Sequence, residues 1–465
     1  MADPLVARRG GLVLALTWLA AFTVLQWSVV RFRVAIVLTL TAAAVALAVW
    51  VATDRPTPRW RWSAPIVLAG SLLALWLVPL FSYLDGGWLI AARVILTLGG
   101  VGCLVLLVRG GATAGRWAFG VALTTQVAVS AVAIVGDRAP RIDVWVLLQQ
   151  GSDALGRGEN IYAAVWTGSP GIDDAFTYLP WTAVLLAPGR WLAGDVRWAL
   201  LLWSLVLLVG VWALAAGRGR AERAAAVAAV LVLAPGSLTQ VDQAWTEPLL
   251  AAGIVWWAVL VRRGHPWYAV LPLALACASK QHLVLLLPVL AVWSPFGWRR
   301  TLATGALAGG LVLPWFLVGP NDFLHDTVEL LLTFHPIRFA NTWYLMFLNE
   351  WDITLPFWAT GIVIALTLGL VGVHVHRRQP SMAAVLRGLA LVLLVANLVN
   401  KQAFYNQFWL CAALVALSVA LPDDAEVARP DDTEADRSHD GGADLPVRAS
   451  VSSTPRTAAG PATTG

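Results

Sequence analysis

The chain has 465 residues, of which 59% are hydrophobic and only 13% are charged, and its mean hydropathy is +0.72. Soluble domains hold about 45–50% apolar and about 25% charged residues. This difference excludes a soluble globular protein and a disordered chain. It also excludes a nucleic-acid partner, although the isoelectric point is near 9.4. The composition predicts an all-α, polytopic membrane protein whose surroundings are the lipid bilayer.

The cysteines do not indicate a disulfide framework or a zinc site, because Cys103, Cys277 and Cys411 all fall inside apolar runs. The sequence also lacks a Walker motif, a Gly-x-Ser-x-Gly element and a His-Glu-x-x-His element. No Asp-x-Asp pair lies in the predicted outer loops. We therefore expect neither a metal ion nor another cofactor.

Apolar runs of about 20 residues mark the predicted membrane spans. Arg8 and Arg9 precede the first run and no Ala-x-Ala site follows it, which argues against a cleaved signal peptide. A polar stretch, 137–176, is predicted to begin a large outer loop, 137–196, with helices lying along the membrane surface. The spans predicted before this loop cover 12–30, 34–52, 64–83, 88–108 and 118–136.

Arginines set the predicted orientation, since the cytoplasmic loops of membrane proteins are rich in basic residues. Arg55, Arg59 and Arg61 belong to one such loop. If 178–192 crossed the membrane, four later clusters would lie outside, whereas all four become cytoplasmic if it does not. This segment also contains two prolines and an arginine, which are unfavourable in a lipid-facing helix. We therefore predict that it does not span. The four clusters are Arg218/Arg220/Arg223, Arg262/Arg263, Arg299/Arg300 and Arg377/Arg378.

The later part of the chain adds nine predicted spans, which brings the total to about 14. Both termini are then cytoplasmic, in a multi-pass protein of the cell membrane. Residues 1–110 are predicted to form an accessory bundle and 111–421 a catalytic module. The tail, 422–465, is rich in acidic residues, lacks apolar periodicity and is predicted to be disordered and cytoplasmic. The nine later spans cover about 197–216, 222–238, 247–262, 267–281, 283–297, 300–319, 355–376, 382–400 and 406–421.

Two lysines stand out because the other basic residues of this chain, apart from histidines, are arginines. Lys280 and Lys401 each precede a glutamine at the predicted outer end of a span. A compact ammonium group suits a phosphate, and arginine is not an equivalent replacement. A lysine that only extends its charge to the membrane surface would occupy the same position. The pattern predicts a phosphate-bearing ligand outside the membrane, with that alternative left open.

Several acidic and basic side chains in the predicted outer loops allow two interpretations each. Asp143 follows the fifth predicted span and would act either as a general base toward a sugar hydroxyl or as a helix cap. His335 and Arg338 lie in the longest late outer loop. His335 would be a second acid or base or a surface histidine, and Arg338 would bind a phosphate or cap a helix. Asp242 and Glu247 lie where the chain is predicted to leave and re-enter the membrane, and both are candidate site residues. Glu247 would alternatively cap the helix that follows it.

Four short stretches of the outer loop resemble glycosyltransferase family 87. They are Ile142-Asp-Val-Trp-Val, Gly156-Arg-Gly-Glu-Asn-Ile-Tyr162, Phe176-Thr-Tyr-Leu-Pro180 and Leu186-Ala-Pro188. The family pattern is an Asp after a span, a Gly-x-Asn-x-Tyr element and a Phe-x-Tyr-x-Pro element before an apolar run. The resemblance covers about 142–200, and the segments around Lys280 and Arg338 fit it more loosely.

This resemblance implies a GT-C-like fold and a polyprenol-phosphate-mannose-dependent mannosyltransferase. Such an enzyme moves a sugar, here mannose, from a polyprenyl-phosphate donor to a glycolipid or cell-envelope glycan acceptor, with inversion and without a nucleotide sugar. The catalytic base would be Asp143. The donor phosphate would be bound by Lys280, Arg338 and Lys401. The remaining predicted substrate-binding residues are polar and lie on the predicted outer face: Tyr162, Tyr178, Asp242, Glu247, Gln281, His282, His335, Asn341 and Gln402.

The chain departs from the family pattern at two places. Family members usually carry the Asp after their first span, whereas four further spans precede that one here, which leaves the role of 1–110 open. Leu179 occupies a position at which a proline is common.

The sequence has two alternative interpretations besides the transferase, namely a transporter and an assembly partner. A transporter or flippase of a lipid-linked sugar should show internal repeats and charges deep in several spans, and the sequence shows neither. An assembly partner of a cell-envelope complex with a decayed site is the third possibility, against which the presence of Asp143 argues.

Overall fold

The computed structural model describes residues 4–29, 31–53, 55, 60–217 and 219–422. These residues form helices and connecting segments, without a strand among them, which confirms the predicted all-α class. Two 3₁₀-helices (Ile161–Ala163 and Gln281–Leu286) and a π-helix (His325–Glu329) accompany the α-helices. The α-helices are α1 (Pro4–Trp27), α2 (Val34–Ala52), α3 (Trp60–Leu77), α4 (Gly86–Arg109), α5 (Ala112–Gly136), α6 (Asp143–Gly156), α7 (Pro180–Ala193), α8 (Arg197–Leu214), α9 (Arg220–Val232), α10 (Ser237–Asp242), α11 (Glu247–Arg262), α12 (Val270–Cys277), α13 (Leu287–Ala291), α14 (Gly297–Val318), α15 (Pro320–Leu324), α16 (Leu330–Thr333), α17 (Trp343–Trp351), α18 (Phe357–Arg378), α19 (Met382–Val399) and α20 (Tyr405–Val419).

Nine helices of the described ranges are long and apolar enough to cross a membrane: α1 to α5, α8, α14, α18 and α19. Each coincides with a predicted span, so the multi-pass character of the chain is confirmed. The other five predicted spans contain shorter elements, namely α9, α11, α12, α20 and the 3₁₀-helix with α13, and the longest of these has 16 residues. At 1.5 Å per residue, such helices fall short of a hydrocarbon core of about 30 Å. The total of 14 spans therefore stays a prediction.

The end of α9 shows why an apolar run does not always form one long helix. α9 stops at Val232, and Gly236 follows with a φ of +82° before α10 begins. A Cβ at Gly236 would lie 2.7 Å from the ring of Tyr405, so the chain turns here in close contact with α20. This conformation is open to glycine without strain, and it divides the predicted span 222–238 from the polar segment that follows.

Most of the segments that the sequence predicts to be outside meet at one end of the helix bundle, which we call the Asp143 end. The backbone N–H of Arg33, between α1 and α2, donates a hydrogen bond of 3.0 Å to Asn341 Oδ1. Thr239 Oγ1 donates to the carbonyl of Phe81 at 2.8 Å. Gln281 Nε2 donates to the carbonyl of Thr177 at 3.0 Å. These bonds join segments that are distant in sequence, so they are tertiary contacts.

The arginine-rich turns meet at the opposite end. Arg262 donates to the carbonyl of Leu214, and Arg223 Nη1 donates to the carbonyl of Leu421 at 2.7 Å. The predicted separation of basic turns from polar outer loops therefore agrees with the packing of the described helices. Arg59, Arg218 and the side chain of Arg8, which also served the prediction, lie outside the described residues.

Helix α7 begins and ends at the Asp143 end, in agreement with the prediction that 178–192 does not span. The N–H of Trp181, near its start, donates to the carbonyl of Ala278 at 3.3 Å. Gln149 of α6 donates to the carbonyl of Gly194, just after its end, at 2.7 Å. α7 packs along α6 within the segment predicted as the outer loop 137–196, and the position of these two helices on the membrane surface stays a prediction.

The first helices pack directly on the later ones. α3 and α4 contact α9, α1 contacts α20, and α2 contacts α19 and α17, so the described residues form one compact unit. The division into an accessory bundle, 1–110, and a catalytic module, 111–421, stays a prediction. The predicted disordered tail lies outside the described residues from 423 onward.

We expect Gly189→Ala to lower the stability of the protein by about 1–3 kcal/mol, because a Cβ at Gly189 of α7 would lie 2.6 Å from the backbone nitrogen of Ala199 in α8. Gly120→Ala in α5 is the matched control, since nothing lies within 4 Å of a Cβ there and alanine favours a helix interior. Thermal unfolding in one detergent compares both variants with the unchanged protein. Equal melting temperatures for all three would contradict the close packing of α7 on α8.

Candidate functional site

Asp143 is the first residue of α6, and its carboxylate is held by backbone N–H groups. The cap position belongs to Ile142, so the capping interpretation of Asp143 does not hold. The N–H of Val144 donates to Asp143 Oδ1 at 2.8 Å. Burial raises the pKa of Asp143, while hydrogen bonds from backbone N–H groups, including that of Ile172, oppose this change. The side chain therefore has a higher proton affinity than an exposed aspartate.

The segment at Gly171 covers the carboxylate of Asp143. A Cβ at Gly171 would lie only 2.9 Å from Asp143 Oδ2, so the backbone approaches the carboxylate as closely as a glycine allows. This loop connects the end of the α6 region to Tyr178. The first turn of α6 and the loop around Gly171 thus enclose Asp143 between them.

Lys280 forms a buried ion pair at the beginning of the 3₁₀-helix. Its Nζ lies 2.5 Å from Glu247 Oε1, and Asn406 Nδ2 donates to the same oxygen at 2.8 Å. The Lys280 side chain is 11% exposed and that of Glu247 is fully buried. The Nζ also lies 5.4 Å from the centre of the Tyr178 ring, a cation–π distance.

Tyr178 is influenced both by Asp143 and by the Lys280–Glu247 pair. Burial raises the pKa of Tyr178, and the negative charges of Asp143 and then Glu247 raise it further. Asp143 and Glu247 therefore both act on this phenol through their charges. The structure therefore brings Asp143, Tyr178, Glu247, Lys280 and Asn406 into one polar region, which we call the central site.

Two predicted binding residues hold the backbone of this region. The hydroxyl of Tyr162 donates to the carbonyl of Tyr178 at 2.9 Å. Gln281 Nε2 donates to the carbonyl of Thr177, so two adjacent residues of the loop are fixed. His282 and Gln402 make no hydrogen bond with any described residue, and the structure assigns neither of them a partner.

Asp242 is fully buried and is tied to the first part of the chain. Its Oδ2 accepts hydrogen bonds from Ser82 Oγ at 2.8 Å and from the N–H of Tyr83 at 2.6 Å. Burial raises the pKa of Asp242 to about 6, against these hydrogen bonds, and the nearby charge of Asp137 also raises it. The described contacts of Asp242 therefore fix the segment between α3 and α4.

Arg338 and His335 lie in the late loop that precedes α17. They line a surface cavity of about 540 Å³ together with aromatic and aliphatic side chains, and its walls include neither Asp143 nor Lys280. Both side chains are exposed. Arg338 therefore does not share this cavity with Asp143 or Lys280, and a phosphate site formed by Lys280 and Arg338 together stays a prediction.

Lys401 and Asn341 form hydrogen bonds with backbone groups of other segments. Lys401 Nζ donates to the carbonyl of Leu332 and, at 3.3 Å, to that of Phe334. It therefore satisfies carbonyls at the end of α16. Asn341 is almost fully buried and binds the turn between α1 and α2 through the N–H of Arg33.

Sequence reasoning missed Tyr83, Ser82 and Asn406. Asn406 is the first residue of the last predicted span, 406–421, and its spacing from Lys401 carries no signal for a bond to Glu247. Ser82 and Tyr83 are the last two residues of the predicted span 64–83. Among the described residues, no group of three or more His, Cys, Asp or Glu side chains has a metal-binding arrangement.

We expect Lys280→Ala to cost about 3–5 kcal/mol of stability, because it leaves the buried Glu247 carboxylate without its counter-charge. Lys280→Ala combined with Glu247→Gln should recover most of this loss, since a glutamine still accepts from Asn406 and carries no charge. Chemical or thermal unfolding of both variants measures the difference. Identical losses in the two variants would contradict a buried pair, and loss of activity in Lys280→Ala is interpretable only beside this comparison.

The chain was also compared with known proteins. No protein-family model matches it. A comparison with characterised proteins finds no match either. The resemblance to glycosyltransferase family 87 therefore rests on the motif residues of the outer loop, and the function has to be argued from the arrangement of the central site.

Proposed function

We propose that this protein is a membrane glycosyltransferase that moves a sugar from a polyprenyl-phosphate donor to a hydroxyl of a glycolipid or cell-envelope glycan. One observation carries the proposal. The Tyr178 ring contacts Lys280, which is paired with Glu247, and the charge of Asp143 acts on the same phenol, so that a carboxylate base and a cation occur in one polar region at one end of an apolar bundle. Ionisable groups at such positions are costly and mark functional sites by default.

The proposed reaction is a single displacement at the anomeric carbon. Asp143 takes the proton of the acceptor hydroxyl while that oxygen forms a bond to the anomeric carbon. The bond between this carbon and the phosphate oxygen breaks, and its electron pair leaves with the polyprenyl phosphate. Attack from the face opposite the phosphate inverts the configuration. The leaving group is already a good one, so a cation near the phosphate is the main requirement on that side.

The surroundings of Asp143 support its role as the base. A base works best when its pKa approaches the operating pH, and burial raises the pKa of Asp143 from its ordinary value. None of the described lysines or arginines pairs with this carboxylate, so no ion pair lowers its basicity. The backbone N–H groups that hold it fix its direction instead.

Lys280 supports the proposal through its free hydrogen-bonding capacity. An ammonium group has three N–H donors, and in this structure Glu247 is its one described hydrogen-bond partner. The two remaining donors are available to the oxygens of a phosphate. Glu247 neutralises Lys280 in this structure, which avoids the cost of a lone buried charge. A donor phosphate has to share Lys280 with Glu247 in this arrangement.

The proposed location follows from the charges of the turns. The Asp143 end holds the central site, and the opposite end holds the arginine-rich turns around Arg223, Arg262 and Arg378. Basic turns favour the cytoplasmic side. We therefore place the central site on the outer face of the cell membrane, with both termini in the cytoplasm and the donor entering from the bilayer.

We expect Asp143→Asn to lower sugar transfer by about 10²–10⁴-fold, because an amide does not accept the proton of the acceptor hydroxyl. The measurement is transfer from polyprenyl-phosphate-mannose to glycolipid acceptors by the purified protein in lipid. Asp352→Asn is the matched control, since Asp352 is exposed and its φ of +54° suits asparagine. Full transfer by the Asp143 variant would contradict the proposal, and movement of the intact donor across the bilayer without transfer would favour a flippase.

We also expect the transfer rate to fall on the acid side at a higher pH than an ordinary aspartate would give. The carboxylate is the active form, and burial raises the pKa of Asp143, so protonation inactivates the base above the usual value of about 3.9. A pH profile of kcat/KM measures this limb, because it reports the pKa values of the free protein. A limb at or below the ordinary value would show that another group controls the rate.

The orientation is tested by labelling single added cysteines in intact cells. Arg338→Cys lies in the exposed segment of the Asp143 end and should react with a membrane-impermeant maleimide, whereas Arg378→Cys at the opposite end should react after the cells are opened. The three native cysteines are buried, so the background labelling should be low. The reverse pattern would place the central site in the cytoplasm.

A further inference from the structure

The connection between α3 and α4 is longer than the fold needs. It runs over the eight residues 78–85, whereas α4 and α5 are joined by Gly110 and Gly111 alone. Both connections reverse the chain between long helices, so two residues are sufficient for such a turn in this protein. The additional length takes the segment across α10 at the Asp143 end.

This segment is firmly attached to α10. The carbonyl of Phe81 accepts from Thr239, and both Ser82 Oγ and the N–H of Tyr83 donate to Asp242 Oδ2. The next side chain, Leu84, is 4% exposed. A long connection held by three hydrogen bonds and a buried leucine has a defined position, so the side chain of Tyr83 is presented at a fixed place.

The Tyr83 side chain has an unused donor at this place. Its ring meets the edge of the Phe81 ring with centres 5.2 Å apart and remains partly exposed. Its hydroxyl hydrogen-bonds to none of the described residues. Burial raises the pKa of Tyr83, and the charges of Asp242, Asp143 and Asp137 raise it in that order. The phenol is therefore protonated at neutral pH. Its segment also lies beside the start of α6, because Arg197 Nη1 donates to the carbonyl of Asp242 at 3.5 Å and Asp195, the ion-pair partner of Arg197, accepts from Trp145 Nε1 at 3.2 Å.

We propose that Tyr83 completes the central site from the first part of the chain and donates a hydrogen bond to an oxygen of a glycoside bound at Asp143. Asp242 is a positioning residue that acts through Tyr83, because its carboxylate holds the backbone of the segment. This inference rests on the proposed function, of which it names the acceptor side. It also gives residues 1–110 a part in ligand binding.

The charges around Tyr83 favour a neutral, hydroxyl-rich ligand. The charges that raise the pKa of this phenol are the carboxylates of Asp242, Asp143 and Asp137, and negative charge of this kind disfavours a phosphate beside it. A sugar offers hydroxyl donors to a carboxylate, oxygen acceptors to a phenol and an apolar face to an aromatic ring. Lys280 lies instead beside Tyr178. The donor phosphate is thus assigned to the Lys280 side and the acceptor sugar to the Tyr83 side.

Direct binding of a simple sugar tests this inference without relying on transfer. The probe is methyl α-D-mannopyranoside, followed by saturation-transfer NMR on the full-length protein in phospholipid nanodiscs. Tyr83→Phe removes one hydroxyl and keeps the ring, and we expect it to weaken binding about 3- to 10-fold. Tyr268→Phe is the matched control, since Tyr268 is 72% exposed between α11 and α12 at the opposite end and should leave binding unchanged.

Asp242 is tested by substitutions that separate positioning from general stability. Asp242→Ala should weaken binding as Tyr83→Phe does, and Asp242→Asn should restore it in part, because an amide oxygen still accepts from Ser82 and Tyr83. Combining Asp242→Ala with Tyr83→Phe should add little to either change, as expected when one residue acts through the other. Should Asp242→Ala fail to fold, Ser82→Ala removes one of the two bonds and takes its place.

The outcomes separate this inference from the proposed function. Binding that is weakened by Tyr83→Phe, in a protein that transfers no sugar, would support the Tyr83 site and refute the transferase. Unchanged binding by Tyr83→Phe would overturn the inference, whatever the transfer assay shows. The absence of any probe binding by the unchanged protein would overturn it as well. Fully additive effects of the two substitutions would overturn the positioning role of Asp242.

Discussion

The constraint on which the whole structure depends is that an apolar bundle has no water to satisfy its backbone groups. Helices meet this demand within themselves, and irregular segments meet it only where protein groups replace water. At the Asp143 end, Thr182 Oγ1 donates to the carbonyl of Ser279 at 2.5 Å, and the Tyr405 hydroxyl donates to that of Pro235 at 2.7 Å. Such long-range bonds allow non-helical backbone to gather around the polar residues.

Buried charges, like buried backbone groups, need partners within the protein. A buried ion without a partner is too costly to persist, and the fold provides partners in two ways. Arg197 and Lys280 are paired with Asp195 and Glu247, which makes them stable and largely neutral as pairs. Asp143 is held by backbone N–H groups and keeps its basicity. The proposed transfer depends on a stable ion pair that contains Lys280, beside a carboxylate, Asp143, that has no cationic partner.

Much of the architecture was predictable because hydropathy and arginine position act over whole segments. The all-α class, the long apolar helices and the non-spanning character of 178–192 follow from these averages. The lengths of the short helices do not, since a turn such as that at Gly236 depends on a close contact with Tyr405. Arg338 also shows this limit, because its place in a polar loop was predictable while its cavity depends on how the late loop folds.

The sequence by itself determined that the chain is a helical membrane protein with its scarce lysines and acidic residues beside apolar runs. It also singled out Asp143 and Lys280, since ionisable residues at such places are rare enough to be noticed. Only the tertiary structure decided which of these groups meet, because the partner of a charge is set by packing between distant segments. The packing pairs Lys280 with Glu247 and hydrogen-bonds Asp242 to the connection between α3 and α4. It also brings Tyr83 toward Asp143.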